Sequence, residues 1–197
     1  KSKQDTNRVL LLVKLSGALR SIDPDKALHY AIESNDLSVK LQYTKGKGNS
    51  LLSIGTANHI KGNYDTAISY YRKAIANFKM INDKKGISKC LNNIGNAFNY
   101  QAKIDSSIGY FIESLKICES FNDSVGITIA LVNIGNIYLY QENYSKAKET
   151  YEKAVAIDEI LHNEVNLAQS YNNLGAVNRY LGEIETAIRY YKKSLAI

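Results

Sequence analysis

The stretch Leu131–Ile157, LVNIGNIYLYQENYSKAKETYEKAVAI, decides the fold. Leu131, Ile134 and Tyr138 recur at i, i+3 and i+7, one stripe of an amphipathic helix. Gln141-Glu142-Asn143 interrupts the stripe, and Tyr144, Ala147, Tyr151, Ala154 and Val155 begin a second one. Two helices joined by so short a turn fold back as an antiparallel pair. Gly135 and Ala147 are small where the two helices press together.

The same unit recurs on both sides of this stretch. Gly55, Gly95, Gly135 and Gly175 stand 40 residues apart, in the phrases SIGTAN, NIGNAF, NIGNIY and NLGAVN. Twelve residues after each glycine comes Ala67, Ser107, Ala147 or Ala187. Four further on stands Tyr71, Phe111, Tyr151 or Tyr191, and three beyond that Ala74, Ser114, Ala154 or Ser194. Four columns held in one register define a repeat architecture.

These columns resemble the tetratricopeptide repeat family, whose pattern sets Leu-Gly and an aromatic in a first helix and Ala, an aromatic and Ala in a second. The resemblance covers roughly residues 8–197. It implies an all-α fold, a right-handed superhelical solenoid of antiparallel helix pairs, read here as one domain of five repeats. They fall at about 7–43, 44–81, 83–121, 123–161 and 163–197, the last incomplete. Two features depart from the family pattern. The period is 40 rather than the usual value of about 34, so each helix is expected to be longer. The closing proline is replaced by Asn82-Asp83, Asn122-Asp123 and Asn163. Long repeats of this kind are similar to those of the kinesin light chain, of cell-polarity adaptors, and of the sensory regions of bacterial histidine kinases and transcription regulators.

In chain order, residues 1–6 are polar and expected to fray. The first repeat carries Leu15 in the glycine column and reads as a degenerate N-terminal cap. Asp23-Pro24 opens its second helix, with Asp23 as cap and proline at the first helical position. Thr44–Gly48 reads as the loosest join, and Asn63 as the cap of the next second helix. Ile104, Ile108, Phe111, Ile112 and Leu115 form a clear apolar stripe. The chain closes on the apolar Ser194-Leu195-Ala196-Ile197, from which further chain is expected to follow.

Composition narrows the function. The chain has 197 residues, 45% apolar and 22% charged, a globular balance. The net charge is +6 and the pI about 9.1, but Lys and Arg are scattered, with short clusters only at Lys45/Lys47, Lys84/Lys85 and Lys192/Lys193. Solvated helix faces explain them, and no nucleic-acid partner is expected. No apolar run approaches the roughly 18 residues of a membrane span, so no direct membrane insertion is expected. Cys90 and Cys118 fall in one repeat. An antiparallel pair brings their ends within conceivable reach of a disulfide, but small buried thiols are the preferred reading. They leave the compartment open, extracytoplasmic or cytoplasmic. His29, His59 and His162 lie in different columns, and no cluster has zinc spacing, so no metal and no cofactor is expected. No nucleophile–base arrangement stands out, and no catalytic residues are assigned: the chain reads as a non-enzyme.

The candidate site lies on the first helices, which the resemblance places along the concave side. In the third repeat Leu91, Ile94 and Phe98 pack, and Asn92, Asn96 and Asn99 take the neighbouring face, bordered by Asn93. The matching positions are Val132, Asn133, Asn136 and Leu139 in the fourth repeat, Asn172, Asn173, Ala176 and Arg179 in the fifth, and Leu52, Ser53, Thr56 and His59 in the second. Asparagine is a middling helix former, so a row of them mid-helix costs stability. A primary amide both donates and accepts, and so grips a peptide bond with two hydrogen bonds. Tyr100, Tyr140 and Tyr180, forty apart, would add apolar walls.

The sharp reading is therefore an extended peptide or protein segment held in the groove by its backbone, a role that groove asparagines play in the family. The bland reading is an amide ladder between adjacent repeats that binds nothing. A carboxylate clamp of the family's chaperone-binding type is not expected. Asn96 and Asn133 match its asparagines, but Asn92, Gln169 and Asn173 stand where its basic residues would be. The expected role is a sensory or regulatory region of a larger bacterial signalling protein, such as a histidine kinase or transcription regulator. The alternative is a structural adaptor or homodimer built through the C-terminal end.

Overall fold

The computed structural model describes residues 3–197, with side chains from Asp5 onward. All ten elements among the described residues are α-helices: α1 (Lys3–Leu19), α2 (Pro24–Lys40), α3 (Thr44–Ile60), α4 (Tyr64–Met80), α5 (Lys84–Tyr100), α6 (Ile104–Glu119), α7 (Ser124–Tyr140), α8 (Tyr144–Leu161), α9 (Glu164–Tyr180) and α10 (Ile184–Leu195). The expected fraying of residues 1–6 is not seen from Lys3 on, where α1 has begun; residues 1 and 2 lie outside the described residues.

The 40-residue period is two equal strides of 20. A residue in the left-handed region closes each stride: Gln42, Gly62, Asn82, Ala102, Asn122, Glu142, His162 and Gly182, with φ between 50° and 79°. Its amide donates to the carbonyl three residues back, and the next amide donates to the carbonyl five back. At Ala102 these bonds are Ala102 N to Asn99 O and Lys103 N to Phe98 O, both 2.9 Å. This closure satisfies the last carbonyls of the helix and turns the chain in three residues. The same turn joins helices within a repeat and between repeats. Only the α1–α2 connection lacks it, and there Asp23 N bonds Leu19 O at 2.8 Å.

Asp23 caps α2 as expected, and Asp83, Asp123, Asn143 and Asn163 cap later helices in the same way, each accepting from the amide three residues on. Asn63 departs from expectation. It sits at the cap position of α4 but makes no cap bond, and its amide reaches Asn58 Oδ1 instead, at 3.5 Å.

The chain forms two compact units, one ending at Tyr110 and the other Phe111–Ile197. In the first, α1 to α5 pack each against the next, and the first helices of the repeats also touch directly, α1 with α3 and α3 with α5. In the second, α7 to α10 pack in the same order and α7 touches α9.

Two side-chain contacts set the spacing. Within a repeat, an aromatic presses on the glycine sixteen residues earlier. A Cβ added at Gly55, Gly135 or Gly175 would lie 2.5, 2.6 or 2.6 Å from the ring of Tyr71, Tyr151 or Tyr191. Tyr71 and Tyr151 are buried, as are Ala67 and Ala147 beside them. In the first repeat both members of this pair are replaced, by Leu15 and Ala31.

Between repeats, the end of each second helix sends one buried residue into the start of the next first helix. These residues are Ser38, Phe78, Cys118 and Asp158, forty apart. The Phe78 ring fills the space a Cβ would take at Gly48 and Gly86, at 2.7 and 2.6 Å. Thr44–Gly48 is therefore not a loose join: it is the first turn of α3, and its glycines are buried because a ring and a serine occupy their side-chain space. Along α6, Phe111 is buried but Ile112 is exposed, so the stripe is narrower than its apolar residues suggest.

Two outcomes test these contacts. Ala102 holds φ at 56°, a conformation costing a non-glycine residue roughly 1–2 kcal/mol, partly offset in a glycine variant by unfolded-chain entropy. Ala102→Gly should raise the thermal midpoint by about 1–3 °C. Gly135→Ala should lose about 1–3 kcal/mol in urea unfolding, because the methyl overlaps the Tyr151 ring. Gly17→Ala, with nothing within 4 Å, should lose none.

Candidate functional site

The expected amide residues lie on the first helices, in two groups, one in each unit. On α5, Asn92, Asn93 and Asn96 are half-buried and Asn99 is exposed, flanking the buried Leu91 and Ile94. Phe98 is half-buried and stacks on Tyr110 at 5.4 Å. On α7, Asn133 is half-buried and Asn136 exposed; on α9, Asn172 is exposed and Asn173 half-buried. The Asn173 Nδ2 is enclosed without a hydrogen-bond acceptor. Arg179 is exposed and lies over the Tyr180 ring at 5.0 Å.

One of these asparagines has a structural duty that the sequence reading missed. Asn136 Oδ1 accepts from the buried Tyr151 hydroxyl at 2.6 Å. Thr56 takes the same place in the second repeat, at 3.5 Å from the Tyr71 hydroxyl. Burial pushes the Tyr71 phenol up to about 12 and raises that of Tyr151 further, so both stay neutral donors. The third repeat has Phe111 in that column, which brings no hydroxyl, so Asn96 carries no such duty.

The three tyrosines stand at the C-terminal ends of the first helices. Tyr100 stacks on Tyr64 at 5.6 Å with His59 edge-on at 5.2 Å, and Tyr180 stacks on Tyr144 at 5.0 Å. Tyr140 is 73% exposed. Burial lowers the pKa of His59, so its ring behaves as a neutral member of this aromatic group. The two cysteines are buried and not joined in a disulfide, and burial pushes the Cys90 thiol up to about 12.

A further feature was not anticipated. Asp158, near the end of α8, has no solvent exposure, and neither carboxylate oxygen has a hydrogen-bond partner among the described residues. Thr128, Asn166 and Ser170 turn polar groups towards it, which favours its charged form, but none reaches hydrogen-bonding geometry. Burial dominates and raises its pKa. It sits at a cavity of about 100 Å³ lined by Thr128, Ile129, Val132 and Asn133 of α7 and Asn166 and Gln169 of α9. The signal was one step of arithmetic away: an aspartate in a column otherwise holding Ser38, Phe78 and Cys118, facing Asn166 where the earlier repeats have Gly46, Gly86 and Gly126.

Residues 47–120, 86–160 and 126–197 each match the tetratricopeptide repeat model, and the chain belongs to that family. Among curated proteins no match is found. Solved structures resemble it at low identity. A Rap protein complexed with Competence and Sporulation Factor superposes with a TM-score of 0.79 at 14% identity, over 100% of this chain and 65% of that one. NprR in complex with its cognate peptide NprX gives 0.72 at 18%, over 98% and 56%. A putative kinesin light chain from Podosopora anserina with nearly identical TPR-like repeats gives 0.74 at 13%, over 100% and 96%. The chain thus spans between half and two thirds of the Rap protein and of NprR. No helix among the described residues is long and apolar enough to cross a membrane.

Asp158 yields a signed pH dependence. Its folded pKa lies above the unfolded value of about 3.9, so the native state holds this proton longer than the unfolded chain does. The resulting penalty is absent below about pH 4 and grows as pH rises through the folded pKa. No other lining residue titrates. Asp158→Asn should therefore melt above the wild type at pH 7, and the difference should close near pH 3.5.

Proposed function

We propose that the chain is a non-catalytic module that binds an extended peptide along its first helices, as the sensory or regulatory part of a signalling protein. The observation that carries this reading is the flank of α5. Asn92, Asn93, Asn96 and Asn99 occupy it beside a buried stripe, where Glu or Lys would serve solubility with less cost to the helix. Asn172 and Asn173 on α9 extend the same chemistry, and Asn133 and Asn136 supply it on α7. The direct contacts of α3 with α1 and with α5, and of α7 with α9, suit an inner face. Tyr100, Tyr140, Tyr180 and Arg179 are assigned to its margin. Two solved neighbours are peptide or factor complexes by name, which agrees with this reading, while another is named an aspartyl phosphate phosphatase. The five repeats act on this proposal as one domain, and the output they regulate is a histidine kinase or a transcription regulator.

Self-association is the second reading, favoured by Ile188 and Leu195 of α10, 48% and 86% exposed. A monomer by size exclusion at all concentrations would dismiss it.

The test uses heptapeptides enriched from a random phage-displayed library on the wild-type protein. Asn96→Ala combined with Asn99→Ala should weaken them at least tenfold, as expected for about two lost hydrogen bonds, with unchanged melting. Equal affinity of the double variant would remove the α5 face from the function. Asn136→Ala is not an equivalent probe. It strands the Tyr151 hydroxyl and should cost about 1–3 kcal/mol of stability, most of it recovered by adding Tyr151→Phe.

A further inference from the structure

The cavity between α7, α8 and α9 is more polar than packing requires. Three other second helices end on a serine, a phenylalanine or a thiol at the same column, and Phe78 shows how well an apolar group fills that position against glycine. The fourth repeat instead buries a carboxylate with both oxygens unpartnered. An unpaired buried carboxylate is among the costliest groups a core can hold. Its glycine partner is also exchanged, for Asn166, and the exchange leaves open space rather than closing it.

The lining specifies what belongs there. Asp158, with no solvent exposure, supplies the acidic group of the lining. The side-chain oxygens of Asn133, Asn166 and Gln169 can accept further hydrogen bonds, and Ile129 and Val132 give an apolar wall. A charged nitrogen at the end of a methylene stem meets all three demands. A volume of about 100 Å³ admits several non-hydrogen atoms, the end of a long side chain and not a whole segment. Asn133 belongs at once to this lining and to the amide face of α7. With a net charge of +6, the protein as a whole repels strongly basic partners, so one buried acid favours one basic residue over a run of them.

We propose that this cavity is a specificity subsite that receives a single lysine or arginine side chain of the bound peptide, with its cationic head against Asp158. The proposal rests on the peptide-binding reading above and adds to it which side chain is selected.

The experiment follows the side-chain amide resonances of Asn133, Asn166 and Gln169 in ¹⁵N-labelled protein. The probes are the capped peptides Ala-Ala-Lys-Ala-Ala, Ala-Ala-Arg-Ala-Ala and Ala-Ala-Gln-Ala-Ala, and n-butylammonium chloride. The Lys or Arg peptide should bind at least tenfold more tightly than the Gln peptide, and the better of the two identifies the preferred cation. Asp158→Asn, nearly isosteric and checked for unchanged helicity, should erase that preference while still binding the Gln peptide. n-Butylammonium should shift the same amides in the wild type alone. Equal affinities for all three peptides, unchanged by Asp158→Asn, overturn the subsite and leave peptide binding standing. If n-butylammonium saturates the cavity in an Asp158-dependent way and no peptide exceeds it, the cation pocket stands and the peptide reading falls. Response to calcium or potassium chloride without response to n-butylammonium overturns the proposal in favour of a metal ion, and silence of the three amides towards every probe overturns it outright.

Discussion

A tyrosine ring pressed against a glycine backbone is the constraint on which the second, fourth and fifth helix pairs depend. With no side chain at Gly55, Gly135 or Gly175, the ring sixteen residues later sits where a Cβ would otherwise be, and the two helices close to the distance that one aromatic ring sets. Shape complementarity at this density is intolerant of even one methyl group. The ring brings a hydroxyl, however, and a hydroxyl carried into the interior must find a partner. The column one residue past the glycine answers that need, with Asn136 or Thr56. A single packing decision thus fixes an aromatic, a glycine and a polar side chain in a related register.

The junctions between repeats work by the same geometry with looser chemistry. One residue at the end of α2, α4, α6 or α8 fills the start of the following first helix, but the column accepts serine, phenylalanine, cysteine and aspartate. Where the knob is a ring or a sulfur, a glycine faces it, and the contact is pure packing. Where the knob is Asp158, the facing residue is Asn166 and space remains. A repeat protein can place new chemistry at such a junction because its neighbours hold the stack together in nearest-neighbour fashion. The local penalty is then tolerated without losing the architecture.

Periodicity made the architecture legible and hid the exceptions. Leu131–Ile157 gave the helix, turn and helix to the residue, since α7 ends at Tyr140 and α8 begins at Tyr144. Identical columns report what every repeat must share. They say little about a residue used once, such as Asp158. They also say little about positions whose demand falls on the backbone. Ala102 and Glu142 adopt left-handed turns that only Gly62 and Gly182 announce by residue type. Thr44–Gly48 reads as loose because glycine is usually flexible, yet here its missing side chain makes room for Phe78 and Ser38. Asn63 misled in the opposite sense, as a capping residue whose amide found Asn58 instead.

The asparagines illustrate why residue type alone does not assign a role. Asn58 and Asn178 stand three residues past their glycines, are buried, and donate to the carbonyl of Ile54 and of Leu174 at 2.9 and 2.7 Å. They are structural amides, and Asn136 joins them through the Tyr151 hydroxyl. Asn96 differs because its repeat carries phenylalanine where the second and fourth carry tyrosine, which removes the hydroxyl that claims Thr56 and Asn136. Function in this family of stacked pairs is therefore to be sought where the column remains polar after its packing reason has gone. Asn96 and Asp158 both satisfy that criterion, one through a lost hydroxyl on its partner column and the other through a lost glycine.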